Sequence, residues 1–373
     1  MKVLFAHYRP DIVSGAEYAL VDTVKWLDPR LQAFMLVPGE GQLAHAYRQL
    51  NLPVWPFPIS TPRRLFPGWH EMQSFWLARK LIREDFRLVV CNTFAAASRV
   101  MTGAKCAGLP LVIIIRDYLR DVPLHRKILH HARALVAISH DIAGAIAPMA
   151  NGVLIHTIYD PIDAEAWLAR VQSHSTDPRR LPFSGNHPVV GWVGRLTPYK
   201  QPDLFIRSIP RILEQVPQAR FVIVGRAQPS ERDYEQGLHS LATTLGVQEH
   251  LYFLGLRTDV AELMSEMDVF CLTSQREPLG RVVLEAQLAG CAVIVPDVGG
   301  AAELVIEGVN GLKFHPLGGQ AAEELASKVV LLLDHPTLRK TMGQAGREHV
   351  LATFAQPGIV APLSQMLLSL AEN

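Results

Sequence analysis

Val269-Phe270-Cys271-Leu272-Thr273-Ser274-Gln275-Arg276-Glu277-Pro278-Leu279-Gly280-Arg281-Val282-Val283-Leu284-Glu285-Ala286-Gln287-Leu288-Ala289-Gly290-Cys291-Ala292-Val293-Ile294-Val295 reads as strand, loop, helix, strand. Glu277 falls in a loop broken by Pro278 and Gly280, and the helix begins near Gly280. Glu285 lies about two turns further on that helix, at 3.6 residues per turn. The spacing therefore brings two carboxylates toward one crevice. The unpaired N–H groups and positive dipole end at the helix start suit a phosphate between them. Carboxylates for hydroxyls beside amides for phosphate suggest a sugar nucleotide, although a solvated loop charge and an exposed helical Glu produce the same pattern.

The alternation continues on both sides. Residues 189–193 read as a strand followed by Gly194-Arg195-Leu196-Thr197-Pro198-Tyr199-Lys200, with a helix opening near Pro202. Two cations with loop amides can neutralise a diphosphate, Arg as a fork and Lys as a point charge. Residues 221–224 form a further strand that ends in Gly225-Arg226-Ala227, and 251–254 another. Val298-Gly299-Gly300-Ala301-Ala302-Glu303-Leu304 and Asn310-Gly311-Leu312 follow the opening stretch, the glycine pair offering a flexible turn.

The Glu277-to-Glu285 spacing with Pro-Leu-Gly and Leu-Glu-Ala-Gln-Leu-Ala-Gly resembles the signature of family 4 of the retaining, nucleotide-sugar-dependent glycosyltransferases (glycosyl transferase group 1). The Gly-Arg-Leu loop with Lys five residues after the Arg, and the Gly299-to-Gly311 segment, are similar to further motifs of that family. The resemblance implies an α/β chain of the GT-B fold: two Rossmann-like, doubly wound parallel-sheet domains facing across a cleft. It implies a retaining transferase moving a sugar from a nucleoside-diphosphate sugar to a glycan, lipid-linked or small-molecule acceptor. By the same resemblance Glu277, Arg195 and Lys200 are the catalytic set. Gly15, Gly194, Gly225, Pro278, Leu279, Gly280 and Glu285 join them around the donor, Glu277 at the sugar hydroxyls and Glu285 at the ribose. No metal and no cofactor beyond the donor substrate is expected, and no nucleic acid partner. A non-catalytic sugar-nucleotide-binding scaffold and a sugar-nucleotide epimerase on the same fold are the rival readings, since fold does not fix function.

The first half also alternates, with strands at 3–7, 33–37, 54–57, 88–91, 111–115 and 135–138. Such apolar strands read as a parallel sheet covered on both faces, which binds ligands beyond its carboxyl ends. His7, Asn92, Arg116, Asp117 and Ser139 stand at those ends and form the acceptor-side set. No Gly-x-Gly-x-x-Gly follows the first strand, which excludes the nicotinamide-type fingerprint there. Ser14-Gly15-Ala16-Glu17 stands in its place and is similar to the family's Gly-Gly-Ala-Glu. At Arg116 many family members carry His. Arg stays charged and cannot act as a general base, so it is expected either to fork onto an anion or to pair with a nearby carboxylate such as Asp121.

At 373 residues the chain suits two domains. The expected division is 1–160 plus about 353–373 on the acceptor side and 161–352 on the nucleotide-sugar side, with a Ser/Pro/Arg-rich linker at 172–188. Composition is globular, 49% apolar and 19% charged. Residues 1–160 carry 18 Lys or Arg against 12 Asp or Glu, and the remainder 18 against 23, so the first half is the basic one. Arg63-Arg64-Leu65-Phe66-Pro67-Gly68-Trp69-His70, then Phe75-Trp76-Leu77-Ala78-Arg79-Lys80-Leu81-Ile82-Arg83, interleave basic and aromatic residues. That pattern fits peripheral contact with an anionic membrane, or an ordinary core helix with a solvated basic face. His125, His130 and His131 lack metal-motif spacing. Cys91, Cys106, Cys271 and Cys291 sit among apolar neighbours and are expected as buried, reduced thiols. With no signal-peptide layout and no membrane-span-length apolar run, a cytoplasmic protein, peripheral at most to the inner face of the membrane, is expected.

Overall fold

A computed structural model describes residues 1–12, 14–58, 69–173, 181–183, 185 and 187–372. The residues at 63–68 and most of the expected 172–188 linker lie outside this set. The chain divides into two compact units, Met1–Ile162 with the segment from Gln356 onward, and Asp163–Ala355.

Unit 1 runs β1 (Lys2–Ala6), α1 (Gly15–Lys25), β2 (Gln32–Val37), α2 (Gln42–Gln49), β3 (Val54–Pro56), α3 (Trp69–Arg83), β4 (Phe86–Cys91), α4 (Phe94–Cys106), β5 (Leu111–Ile115), α5 (Pro123–His130), β6 (Ala134–Ala137), α6 (His140–Ala150) and β7 (Ile155–Thr157). The strands form one seven-stranded parallel sheet in the order β3-β2-β1-β4-β5-β6-β7. Runs such as Leu111-Val112-Ile113-Ile114-Ile115 are fully buried, as strands covered on both faces must be. Polar residues placed just after the strands start the helices. Ser14 and Glu17 form a capping box on α1, while the Thr93 and Ser139 hydroxyls accept from the amides of Ala96 and Ile142. The order reverses between β1 and β4, so the His7 and Asn92 ends of these strands flank the switch point.

Unit 2 begins with α7 (Ala164–Ser173) and continues β8 (Val189–Val193), α8 (Pro202–Gln215), β9 (Arg220–Val224), α9 (Arg232–Thr244), β10 (Leu251–Gly255), α10 (Val260–Ser265), β11 (Val269–Cys271), α11 (Arg281–Ala289), β12 (Ala292–Pro296), α12 (Gly300–Glu303), β13 (Leu312–Phe314), α13 (Ala321–Asp334) and α14 (Pro336–Thr353). Its six-stranded parallel sheet has the order β10-β9-β8-β11-β12-β13 and reverses between β8 and β11. The core packs Trp192, Phe205, Phe221 and Phe314 between sheet and helices. The opening stretch is thus β11, loop, α11 and β12. The last helix, α15 (Ala361–Glu372), belongs to unit 1, where it packs on β4 and the Ser364 hydroxyl accepts from the Asp28 amide at 3.1 Å.

Two expectations need correction. Cys106, the last residue of α4, is exposed, whereas Cys91, Cys271 and Cys291 are buried as free thiols. An apolar sequence neighbourhood does not bury the outward face of a helix terminus. Burial pushes the Cys91 and Cys271 thiols well up and Cys291 up to about 12, which leaves them inert. In α3 the solvent side is not purely basic: Phe75, Trp76 and Ile82 are exposed beside Arg79 and Arg83, while Leu77, Ala78 and Leu81 are buried. The helix carries apolar residues on both sides.

Candidate functional site

In unit 2 the two loops that leave the switch point are bound into one piece. The Trp192 indole N–H donates to Thr273 Oγ1 at 2.9 Å, and the Thr273 hydroxyl faces the carbonyls of Lys200 (3.0 Å) and Gln201 (2.7 Å). The Gln275 amide donates to the Tyr199 carbonyl at 3.0 Å. Thr273 is fully buried, so its hydroxyl is a fixed peg between β8 and β11. On this frame Lys200 Nζ donates to both oxygens of Glu277, at 2.6 and 2.8 Å, and Ser274 Oγ donates to one of them at 2.8 Å. The pair is only partly shielded, the Lys200 side chain keeping 21% of its exposure. Charge-assisted bonds of this length are strong, yet the lysine can still exchange partner.

Backbone geometry holds Glu277 from the other side. The Gly300 amide donates to its carbonyl at 2.7 Å, and Glu277 pairs with Gly299 in an isolated parallel bridge. Gly299 has φ +78°, and a Cβ there would lie 2.7 Å from the Glu277 carbonyl oxygen. Only glycine fits. Gly280 caps α11 and has no side chain to occupy the first turn. Pro278 is half-buried and Leu279 buried, so they anchor the loop. Glu285 pairs with Arg281 at 3.2 Å, one turn earlier on α11. That arginine was not picked out from the sequence.

Gly194 and Gly225 end β8 and β9 and touch. A Cβ on Gly225, which has φ +142°, would come 1.8 Å from the Gly194 carbonyl oxygen. The pair presents Arg195 and Arg226 on adjoining turns, with the Leu196 amide donating to the Arg226 carbonyl at 3.2 Å. Both side chains are exposed, and neither makes an ion pair among the described residues. The amide of Ala227 is taken by Glu235 at 3.2 Å. The region therefore offers uncommitted cations beside a paired lysine and carboxylate at the positive end of a helix. That arrangement can accept an anion and release a carboxylate to hydroxyls.

Unit 1 brings three of its expected residues together and closes them. Arg116 Nε donates to Asn92 Oδ1 (3.0 Å) and to the Asn92 carbonyl (3.2 Å), which orients the amide. Asn92 Nδ2 then faces His7 Nδ1 at 3.2 Å and the Ala16 carbonyl at 3.1 Å. His7 Nε2 is left to donate to Glu17 Oε1 at 2.9 Å, and Glu17 Oε2 accepts from the Ser14 amide (2.7 Å) and hydroxyl (2.8 Å). At the far end Arg116 forms a buried ion pair with Asp160. The carboxylate partner expected for Arg116, Asp121, instead pairs with Arg126 at 2.6 Å, because an exposed loop carboxylate cannot follow a buried guanidinium. His7, Glu17, Asn92, Arg116 and Asp160 are all buried. Burial would raise the Glu17 carboxyl, but bonds from His7 and Ser14 outweigh it and hold it at about 2. The Tyr47 hydroxyl is buried with no partner among the described residues. Burial, reinforced by the Glu17 charge and opposed by Arg116, raises its pKa well above the phenolic value. Of the remaining expected residues, Gly15 opens α1, Asp117 is exposed after β5, and Ser139 is spent on capping α6.

The family described as glycosyl transferases group 1 matches residues 173–349. A D-inositol 3-phosphate glycosyltransferase of Kribbella flavida is 33% identical over 43% of this chain and 39% of that protein. A GDP-mannose-dependent monoacylated alpha-(1-6)-phosphatidylinositol monomannoside mannosyltransferase of Corynebacterium glutamicum is 33% identical over 50% of this chain and 49% of that protein. The chain thus matches less than half the length of these two curated relatives. Anabaena Alr3699/HepE, solved in complex with UDP and glucose, superposes with TM-score 0.80 and 26% identity, over 99% of this chain and 100% of that one. The fold is GT-B.

Proposed function

We propose, for a chain that is a group 1 glycosyltransferase of the GT-B type, that it moves a hexosyl group from a nucleoside-diphosphate sugar to a hydroxyl acceptor with retention of configuration. The observation that carries this reading is the Lys200–Glu277 pair before α11, with the exposed Arg195 on the same loop as Lys200, five residues earlier. A diphosphate arriving there competes with Glu277 for Lys200 and draws Arg195 onto its other oxygens. Freed from Lys200, the Glu277 carboxylate turns to the sugar hydroxyls. As the bond from the anomeric carbon to the phosphate oxygen breaks, the two cations stabilise the growing negative charge, the term with most leverage on the barrier. The acceptor hydroxyl attacks from the face the phosphate leaves, and its proton passes to the departing phosphate oxygen.

Because the cations meet the diphosphate charge, transfer needs no divalent metal. HepE was solved with UDP, and the mannosyltransferase relative is GDP-mannose-dependent, so uridine and guanosine diphosphate sugars are the first donors to try. The inositol-phosphate and phosphatidylinositol relatives suggest polyol and lipid-linked acceptors. The test incubates the protein with UDP-glucose and GDP-mannose, with and without such acceptors, and measures free nucleoside diphosphate. Acceptor-dependent release that persists in excess chelator is expected. Conversion of donor without acceptor assigns an epimerase, and binding without turnover a scaffold. Loss of transfer in chelator, restored by Mg²⁺, overturns metal independence.

A further inference from the structure

Helix α3 is apolar on both its sides. Its inward side, Leu77, Ala78 and Leu81, packs toward α4, with Leu77 seated against Gly103. The outward side carries Trp69, Met72, Phe75, Trp76 and Ile82, exposed by 37, 44, 56, 60 and 62%. At 100° per residue these five positions and Arg79 and Arg83 fall on one face, with Arg79 near its centre. An exposed stripe of five large apolar side chains on one helix is more than scattered surface hydrophobicity and marks a surface that binds something.

We propose that this face of α3 docks on an anionic phospholipid surface. The chemistry fits a bilayer interface. Trp and Phe enter the headgroup level, and Arg side chains lie along the apolar stripe and reach out to phosphates. Arg79 lies over the Phe75 ring at 5.8 Å and makes no ion pair among the described residues, and the Arg83 side chain, 78% exposed, makes only a long contact of 3.6 Å with Glu84. Glu71 is the one carboxylate on the outward face among the described residues, one turn from its N-terminal end. A second copy stacked about a two-fold axis through the stripe would set one Arg79 against the other, whereas an anionic lipid surface neutralises both. The excess of basic residues over 1–160 adds long-range attraction of the same sign. The inference rests on no part of the glycosyl-transfer reading.

The test is co-sedimentation of the full chain with phosphatidylcholine vesicles, with and without phosphatidylglycerol. Binding only to the phosphatidylglycerol vesicles, weakened by salt, is expected. The double substitution Phe75→Ser with Trp76→Ser should lower partitioning by more than about tenfold. Arg79→Glu should lower it by roughly tenfold, through loss of one cation and gain of one repelled charge. Both variants should keep the parent's melting temperature and nucleotide binding, since the residues are exposed and lie in unit 1. Should the double variant fail to fold, Arg79→Glu decides alone. A parent that stays in the supernatant at low salt, or variants that bind like the parent, overturn the proposal. So does a concentration-dependent dimer that the Phe75/Trp76 variant loses while no vesicle binding occurs, which would assign the face to a second copy.

Discussion

The two sheets place polar residues at equivalent points and use them in opposite ways. At the β1–β4 reversal the polar residues are sealed, and a continuous run from Ser14 through Glu17, His7, Asn92 and Arg116 to Asp160 meets its needs internally. At the β8–β11 reversal the pairing is partial, with Lys200 and Glu277 joined in a partly shielded pair and Arg195 uncommitted. A buried ion pair gives a unit its specific arrangement and punishes removal of one partner, while an exposed cation contributes little to folding and stays available to ligand. One topological position thus serves architecture in unit 1 and, on the proposed function, recognition in unit 2.

The strongest way to break that contrast is Arg116→Ala. It strands Asp160 and Asn92 in the interior and should cost about 3–5 kcal/mol of stability, measured by denaturant melting. A normal melt with lost transfer would move Arg116 from architecture to recognition. Next comes acid. The Glu17 carboxyl lies at about 2 against an ordinary 4.5, so its stabilisation is complete above pH 4.5 and disappears as pH falls from there toward 2. About 3 kcal/mol is at stake over that window, from 1.36 kcal/mol per pKa unit. Glu17→Gln should flatten this acid limb, and an unchanged limb would remove Glu17 from the sealed run. Arg195→Ala is the mirror of Arg116→Ala. Nucleoside diphosphate affinity should fall by about 1.5–3 kcal/mol, the value of a bond to a charged group, while stability moves by no more than about 0.5 kcal/mol. Calorimetry of binding beside a melt separates the two. The smallest effect belongs to Thr273→Val, which removes the peg between the two loops of unit 2. A loss of about 1–2 kcal/mol in stability with a raised KM for donor is expected, and an unchanged KM would show that the loops hold their places without it.

The alternation of apolar runs and helical periods was enough to read two parallel α/β sheets, because buried strands and amphipathic helices differ in period. Not every short strand was legible. Ile155–Thr157 has only three residues, all half-buried, so no periodicity can form. At the site, Glu277, Lys200 and Arg195 stood out because their spacing in loops after strands matches the motifs the resemblance rests on, not because a charge there is unusual. Their supports, Thr273 and Ser274, did not, since a hydroxyl at a strand end usually signals a turn or cap. Asp160 was invisible as the partner of Arg116 because 44 residues separate them, and only the sheet order joins the two segments. The aromatic side of α3 was left between a membrane-facing and a core-helix reading, because residues apolar on both sides of a helix mimic a core helix.

The return of α15 to β4 has a consequence for how the chain is made. Unit 1 is interrupted by Asp163–Ala355, and its closing helix is translated only after that whole unit. At roughly 5–20 residues per second, the ribosome takes on the order of ten to forty seconds to cross the interruption. Throughout that interval unit 1 lacks Leu363, Leu367 and Leu368, which are buried in the finished protein. Unit 2, being contiguous, can finish before the unit that started first. The nascent chain therefore carries an exposed apolar groove on the β4 side for a defined time, and that interval is where a chaperone would be needed.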